Sequence, residues 1–318
     1  MPVPQLVIDL LNVPVPTLRK VAARHGVGEG ISTLRKWDLA QAVSRIPRGE
    51  LEAEIGEYLY AGSTSLSWVR LAPAGEEIND EDPDAFSGLR GVELSGTDVL
   101  RALGEHGDAD PFSETARPEE IDETPKLVVA REQDDGYMLT FAVAKRIGHV
   151  IHNFEHTPVF EDEFFNALLR PGLGSVEVRG SASRARRLER TWLAVFADSL
   201  DAQPRPVAIT QEDFHALHDQ LKGRLDVYRG KTTTGVTVFD THEFTKADSV
   251  DDLLPEPEFE RQTRDLEPVS FDLLFDAAGF GDVRIHVSVR NGSIFVRTAV
   301  PDRVLRYIYE VLERIKSR

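Results

Sequence analysis

The sequence predicts an α+β protein in three parts. These are a small helical bundle over 1–72, an acidic linker over 73–125, and an α+β domain over 126–318 whose antiparallel sheet ends in a β-hairpin and a C-terminal helix. Three observations carry that reading. Apolar residues recur at helical spacing through the first 70 residues and at a spacing of two after residue 126. Pro, Gly, Asp and Glu crowd the stretch between. Near the end, Asn291-Gly292 sits between two alternating runs, a strong hairpin signal.

Leu6, Val7, Leu10 and Leu11 give the first helix an apolar face. Pro16 suits the first turn of a second helix, with Leu18, Val21 and Ala22 inward and Gly26 past its end. A third helix takes Ser32 as N-cap and runs through Leu34, Leu39, Ala42, Val43 and Ile46 to Pro47. A fourth runs through Leu51, Ile55, Tyr58 and Leu59. In the acidic stretch one helix is expected around 97–103, with the remainder loosely packed. "KLVVARE" and "GYMLTFAVAK" read as strands joined by an Asp-Gly turn in "QDDG". "GHVIHNFEHT" reads as a further strand, "EDEFFNALLR" as a short helix, and "GSVEVRG" as a strand. "RRLERTWLAVFADSLD" is one helix with Leu188, Trp192, Val195 and Phe196 on a face. "TQEDFHALHDQLKGRL" opens on a capping-box pattern, Thr210 with Asp213. "TTTGVTVFDT" is a strand. In the final hairpin Val289 is set to face Ile294, Val287 to face Val296, and Val283 to face Val300. Arg284, His286, Ser288, Arg290 and Arg297 fall on the wet side. Pro301 opens the last helix, through Val304, Ile308, Val311 and Leu312.

Composition removes several function classes. The chain has no cysteine, so disulfides, zinc-thiolate centres and thiol nucleophiles are excluded. "MPVPQLVIDLLNVPVP" lacks a basic n-region, and no apolar run nears the roughly 18 residues a membrane span needs. A soluble, cytoplasmic protein is expected, nucleoid-associated if prokaryotic. Formal charge is -17, but it is unevenly placed. Residues 1–72 hold eight Lys/Arg against seven Asp/Glu, whereas 73–125 hold three against sixteen. The local field, rather than the total, decides what each surface attracts.

One stretch stands against that acidity. "VRGSASRARRLERTW" carries Arg179, Arg184, Arg186, Arg187 and Arg190 within twelve residues, against the single acid Glu189. It follows a strand and enters a helix. Small residues there let backbone approach a phosphate, and guanidinium groups grip phosphate oxygens bidentately. A second basic cluster comprises Arg19, Lys20, Arg24, Arg35, Lys36 and Arg45 in the N-terminal helices, with Trp37 read as core in preference to a stacking edge. The other motifs are bland. "RGKTT" at 229–233 lacks the glycine a P-loop needs five residues earlier, where Leu225 stands. His149, His152 and His156, and the pair His215 and His218, read as structural or surface residues rather than metal ligands. No nucleophile has an obvious base, so no enzyme, metal or cofactor is expected.

The layout resembles the CENP-N family of kinetochore and chromosome-segregation proteins. The resemblance lies in "NVPVPTLRKVAARHGV" with "LRKWDLAQAVSRI", in "YMLTFAVAKRIGHVIHNFEHTP", and in "SVEVRGSASRARRLERTWL", and covers about residues 5–200. It implies a pyrin-like helical domain ahead of a mixed α/β domain. It also implies a role in binding centromeric chromatin through basic surfaces of both domains, with a C-terminal sheet edge pairing to a related subunit. On this chain the basic residues named above become the DNA face, and Val283, Ile285, Val287, Ile294 and Val296 of the hairpin become the partner face. The acidic insert at 73–125 departs from the family's pattern. The expected function is therefore non-enzymatic DNA binding through phosphate contacts, in chromosome segregation or organisation. A protein–protein scaffold pairing through its C-terminal strands is the alternative, and a metal-dependent hydrolase using the histidines is a third.

Overall fold

A computed structural model describes residues 5–11, 13–27, 30–58, 64–75, 88–106, 112, 121–152, 155–232, 241–277, 279–289, 291–298 and 300–317. The architecture is mixed α+β, and every described strand pairing is antiparallel. The chain divides into two compact units, one of residues 67–207 with 1–5 and the other of 6–66 with 208–318. No helix among the described residues is long and apolar enough to cross a membrane.

The chain opens with α1 (Gln5–Leu10), α2 (Val15–Arg24), α3 (Lys36–Val43) and α4 (Arg48–Ile55). Leu18, Val21, Ala22, Leu39, Val43, Leu51 and Ile55 are buried, as their spacing predicts. Pro16 lies in the first turn of α2, and Gly26 follows that helix at φ +63°. Two details differ. Helix α3 starts at Lys36 behind Arg35 rather than at a Ser32 cap, and Trp37 is 38% exposed instead of core. Nor do these helices stand as a clear bundle of their own. They share a unit with residues 208–318, where Arg303 pairs with Glu57 at 3.5 Å.

In the unit of residues 67–207, β1 (Ser65–Pro73) is followed by α5 (Gly96–Glu105), β2 (Lys126–Gln133), β3 (Gly136–His152), β4 (Glu155–Arg170), β5 (Ser175–Arg179), α6 (Ala182–Arg190), α7 (Trp192–Asp198) and β6 (Ala202–Pro206). The strand order is β2-β3-β4-β5-β1, with β6 also on β1. Helices α5, α6 and α7 contribute Val99, Leu103, Leu188 and Phe196 to the core that Phe141, Phe165 and Val178 form on one sheet face. Phe141 lies 5.5 Å from Phe165 and 5.0 Å from Trp192 between ring centroids, within the range of favourable aromatic pairs. The segment read as a short helix, "EDEFFNALLR", is the second half of β4. It is buried on both faces, with Phe165, Ala167 and Leu169 on one side and Asn166, Leu168 and Arg170 on the other. A strand of that kind has no polar alternation, so its sequence mimics a helix. The same double burial hides β1, which the sequence reading missed. Residues 88–95 are not loose either. Gly91 N donates to Leu173 O at 2.8 Å, Val92 N to Leu71 O at 2.7 Å, and Leu94 N to Pro171 O at 3.0 Å. The long helix expected over 186–201 breaks at Thr191 into α6 and α7, leaving Val195 57% exposed. The β2–β3 turn is centred on Asp134-Asp135, since Gln133 pairs with Gly136.

The other unit continues with α8 (Gln211–Leu221), β7 (Arg224–Thr232), β8 (Thr241–Thr245), α9 (Pro257–Thr263), β9 (Leu266–Ala277), β10 (Gly281–Ser288), β11 (Ser293–Val296) and α10 (Asp302–Lys316). Strand order is β11-β10-β9-β7-β8. The capping box forms as expected: Asp213 N donates to Thr210 Oγ1 at 3.2 Å and Thr210 N to Asp213 Oδ2 at 2.7 Å. Most of the strand expected in "TTTGVTVFDT" lies outside the described residues. The final hairpin pairs Val287 with Ile294 and Ile285 with Val296, two residues away from the expected register. Gly292, at φ +56°, ends a loop over 289–292 and so moves the closing pair to Ser288 and Ser293. An even shift keeps every side chain on its face. Accordingly Val283, Ile285, Val287, Ile294 and Val296 are fully buried.

Candidate nucleic-acid interface

Strand β5 delivers the chain to α6 through Gly180 and Ser181, and the Ser181 hydroxyl accepts from Arg184 N to cap the helix. Ala185 and Leu188 are buried, which fixes the rotation of α6 and turns its arginines outward. Arg186, Arg187 and Arg190 are exposed. Arg186 Nε donates to its own helix at Ala182 O (3.3 Å), and Arg187 Nη1 donates to Glu123 O (2.8 Å). Among the described residues no carboxylate lies within ion-pairing distance of these three guanidinium groups. Glu189, the acid of the stretch, has its carboxyl pushed up by burial against the opposing pull of Arg190, Arg205 and Arg186. It is a weak counter-charge for that reason.

The remaining two arginines of the stretch have other duties. Arg179 is 4% exposed and its Nε donates to Glu177 Oε1 at 2.8 Å. Glu177 is wholly buried and also accepts from Arg170 Nη1 (3.4 Å) and Trp68 Nε1 (3.3 Å). The expectation that Arg179 faces DNA is therefore corrected. As the last residue of a strand buried on both faces, it neutralises an interior carboxylate. Arg184 is half-buried and pairs with Glu163 of β4.

Strand β3 brings two further cations that the sequence reading did not single out. Lys145 and Arg146 lie where β3 has run past its last pairing with β2, at Ala142 opposite Lys126. They join Arg184 and Arg187, with Ser181, Ser183, Glu123 and Glu163, around a cleft of about 410 Å³. Lys145 Nζ donates to Glu163 Oε1 at 3.3 Å. The signal available in sequence was the doublet Lys-Arg at a strand's end, which acquires meaning only when β4 folds as a strand beside it.

The N-terminal cations belong to the other unit. Lys20, Arg24, Arg35, Lys36 and Arg45 are exposed there, while Arg19 is half-buried. The proposed partner face is also corrected. Val283, Ile285, Val287, Ile294 and Val296 form the inner side of β10 and β11, and β10 has both edges taken by β9 and β11. The outer side is a lattice of ion pairs. Arg284 reaches Asp226 at 2.7 Å, while His286 at 2.5 Å and Arg297 at 3.0 Å converge on Asp272. Of the histidines, His218 bonds Asp252 at 2.9 Å, and burial pushes the exposed-face His215 down. His149, His152 and His156 lie in β3 and β4 with side chains outside the described set. Among the described residues no three His, Asp or Glu side chains are placed to hold a metal ion. The chain matches no protein-family model and no curated protein.

Proposed function

We propose that the chain is a non-enzymatic DNA-binding protein that grips the phosphate backbone with α6. The observation that supports this is the set of three exposed guanidinium groups, Arg186, Arg187 and Arg190, which the chain's 54 carboxylates leave out of ion pairs among the described residues. Surface arginines with internal partners would add little to any binding. Guanidinium groups with no carboxylate partner release counterions from DNA, with little dependence on base sequence. The likeness of residues 5–200 to the CENP-N pattern supports a task in chromosome segregation or organisation, with the exposed N-terminal cations as a second basic surface.

The test is fluorescence anisotropy of a labelled duplex over a salt series. Replacing Arg186, Arg187 and Arg190 by Gln removes three phosphate contacts. Each is worth a slope of about 0.9 in log K against log salt, so affinity near 0.15 M salt should fall about 100-fold and the slope should flatten by about 2.7. Affinity and slope equal to wild type would refute the assignment.

A further inference from the structure

We infer that the cleft between α6 and the base of the β3–β4 ribbon seats one phosphate group, and that Glu163 holds that seat in the free protein. Glu163 Oε1 receives Lys145 Nζ at 3.3 Å and is paired with Arg184. Two cations from different elements thus converge on one carboxylate oxygen. Arg146 and Arg187 line the same cleft. Leaving Arg146 out of the count, three cations, Lys145, Arg184 and Arg187, face two carboxylates, Glu163 and Glu123, so the lining keeps a formal surplus of one positive charge. A phosphodiester, like a carboxylate, offers two anionic oxygens and one negative charge, so it can take the place of Glu163 among these donors, and a free phosphate offers more of both. The cavity, about 410 Å³, is many times the roughly 30 Å³ that a water occupies in the liquid, so the group has room once Glu163 turns aside.

Glu163 can turn aside because it is not part of the interior. Its side chain is 25% exposed, unlike the wholly buried Glu177. Both partners are also partly in solvent, Lys145 at 56% and Arg184 at 27%. Exchanging one partly solvated anion for another costs little desolvation, whereas emptying a buried pair would cost several kcal/mol. The ligand chemistry is a phosphate mono- or diester oxygen set. Its source under the function proposed above, on which this inference rests, is the DNA backbone. Free phosphate is the other source.

The experiment compares wild type with Glu163→Gln, which keeps the side chain's size and removes its charge. Duplex affinity is measured by anisotropy over a salt series, and inorganic phosphate binding by calorimetry. With the carboxylate neutralised, one more DNA phosphate should be engaged. Affinity should tighten about fivefold near 0.15 M salt, with the slope steeper by about 0.9. Adding Lys145→Gln should cancel the gain. If wild type binds DNA and Glu163→Gln leaves affinity and slope unchanged, the seat is overturned while α6 binding stands. If neither protein binds DNA but Glu163→Gln takes inorganic phosphate more tightly than wild type, the seat stands and the DNA function falls. Binding of neither ligand by either protein overturns both. Should Glu163→Gln unfold, Glu163→Asp withdraws the carboxylate from Lys145 and should shift affinity in the same direction; no shift there counts against the seat.

Discussion

Removing the charge of Glu177 should destabilise the unit of residues 67–207 by several kcal/mol. Glu177 has no exposed surface and stands between Arg179 and Arg170, themselves 4% and 2% exposed, with the Trp68 indole as a third donor. Arg170 also reaches Asp135 at 3.0 Å, so one of the two guanidinium groups keeps a carboxylate when Glu177 is lost. Arg179 does not share that contact. In Glu177→Gln an amide oxygen still accepts from Arg179, but the interior loses the carboxylate charge that Arg179, Arg170 and the Trp68 indole share. Removing one partner of a buried ion pair typically costs about 3–5 kcal/mol, and the surviving contacts argue for the lower end, about 3. With a urea m-value of about 2 kcal/mol/M, the midpoint should fall by about 1.5 M. The assay is urea unfolding followed by Trp fluorescence. A second variant isolates the cause: Glu177→Gln combined with Arg179→Met removes a buried positive charge together with the negative one and should recover part of the loss. A midpoint for Glu177→Gln within about 0.3 M of wild type would show that the interior tolerates the loss of that carboxylate charge and would refute the electrostatic account.

Lys316 is a comparable anchor: its ammonium, on a side chain 2% exposed, lies 2.5 Å from Asp213 of the capping box, so Lys316→Met should lower stability by about 3 kcal/mol in thermal unfolding. Asp272 gives a pH signature. Burial alone would raise its carboxyl, yet the hydrogen bond and charge of His286, with Arg297 and Arg229, hold it below the usual range. A depressed folded value contributes stability that is fully present above the unfolded value near 3.9 and is lost as pH falls through the folded one. The urea midpoint should therefore drop below about pH 4 in wild type, and Asp272→Asn should be less stable at neutral pH with a shallower acid limb.

The parts of this fold that were legible in sequence are those buried on one side only. Helix α2 and helix α10 present apolar residues at i, i+3 and i+4 against a polar remainder, and they form as read. Thr210 and Asp213 cap α8 because their geometry is local. Strands β1 and β4 were hidden because neighbours cover both of their faces, which erases the alternation that marks a strand. Strand β9, which nothing in the sequence reading marked, runs Ser270–Phe275 with burial nearly unbroken. The register of the last hairpin slipped by two because the loop's position follows the backbone of Gly292, which the Asn-Gly signal locates only approximately. The arginines of residues 179–190 divide for a similar reason. Arg186, Arg187 and Arg190 lie on a helix whose inward residues are visible as Ala185 and Leu188. The burial of Arg179 depends on Glu177 meeting Trp68, 109 residues away in the chain.

The interleaved make-up of the two units bears on biosynthesis. The four opening helices leave the ribosome long before the strands that complete their unit, which begin after residue 208. At about 5–20 residues per second, that interval is roughly 10–30 s. Residues 67–207 meanwhile emerge as one uninterrupted run and can finish first. A ribosome stalled far enough past residue 207 for the middle run to have cleared the exit tunnel should thus carry a protease-resistant middle segment behind a cleavable leading one, and nascent apolar helices in that window are natural clients for a chaperone.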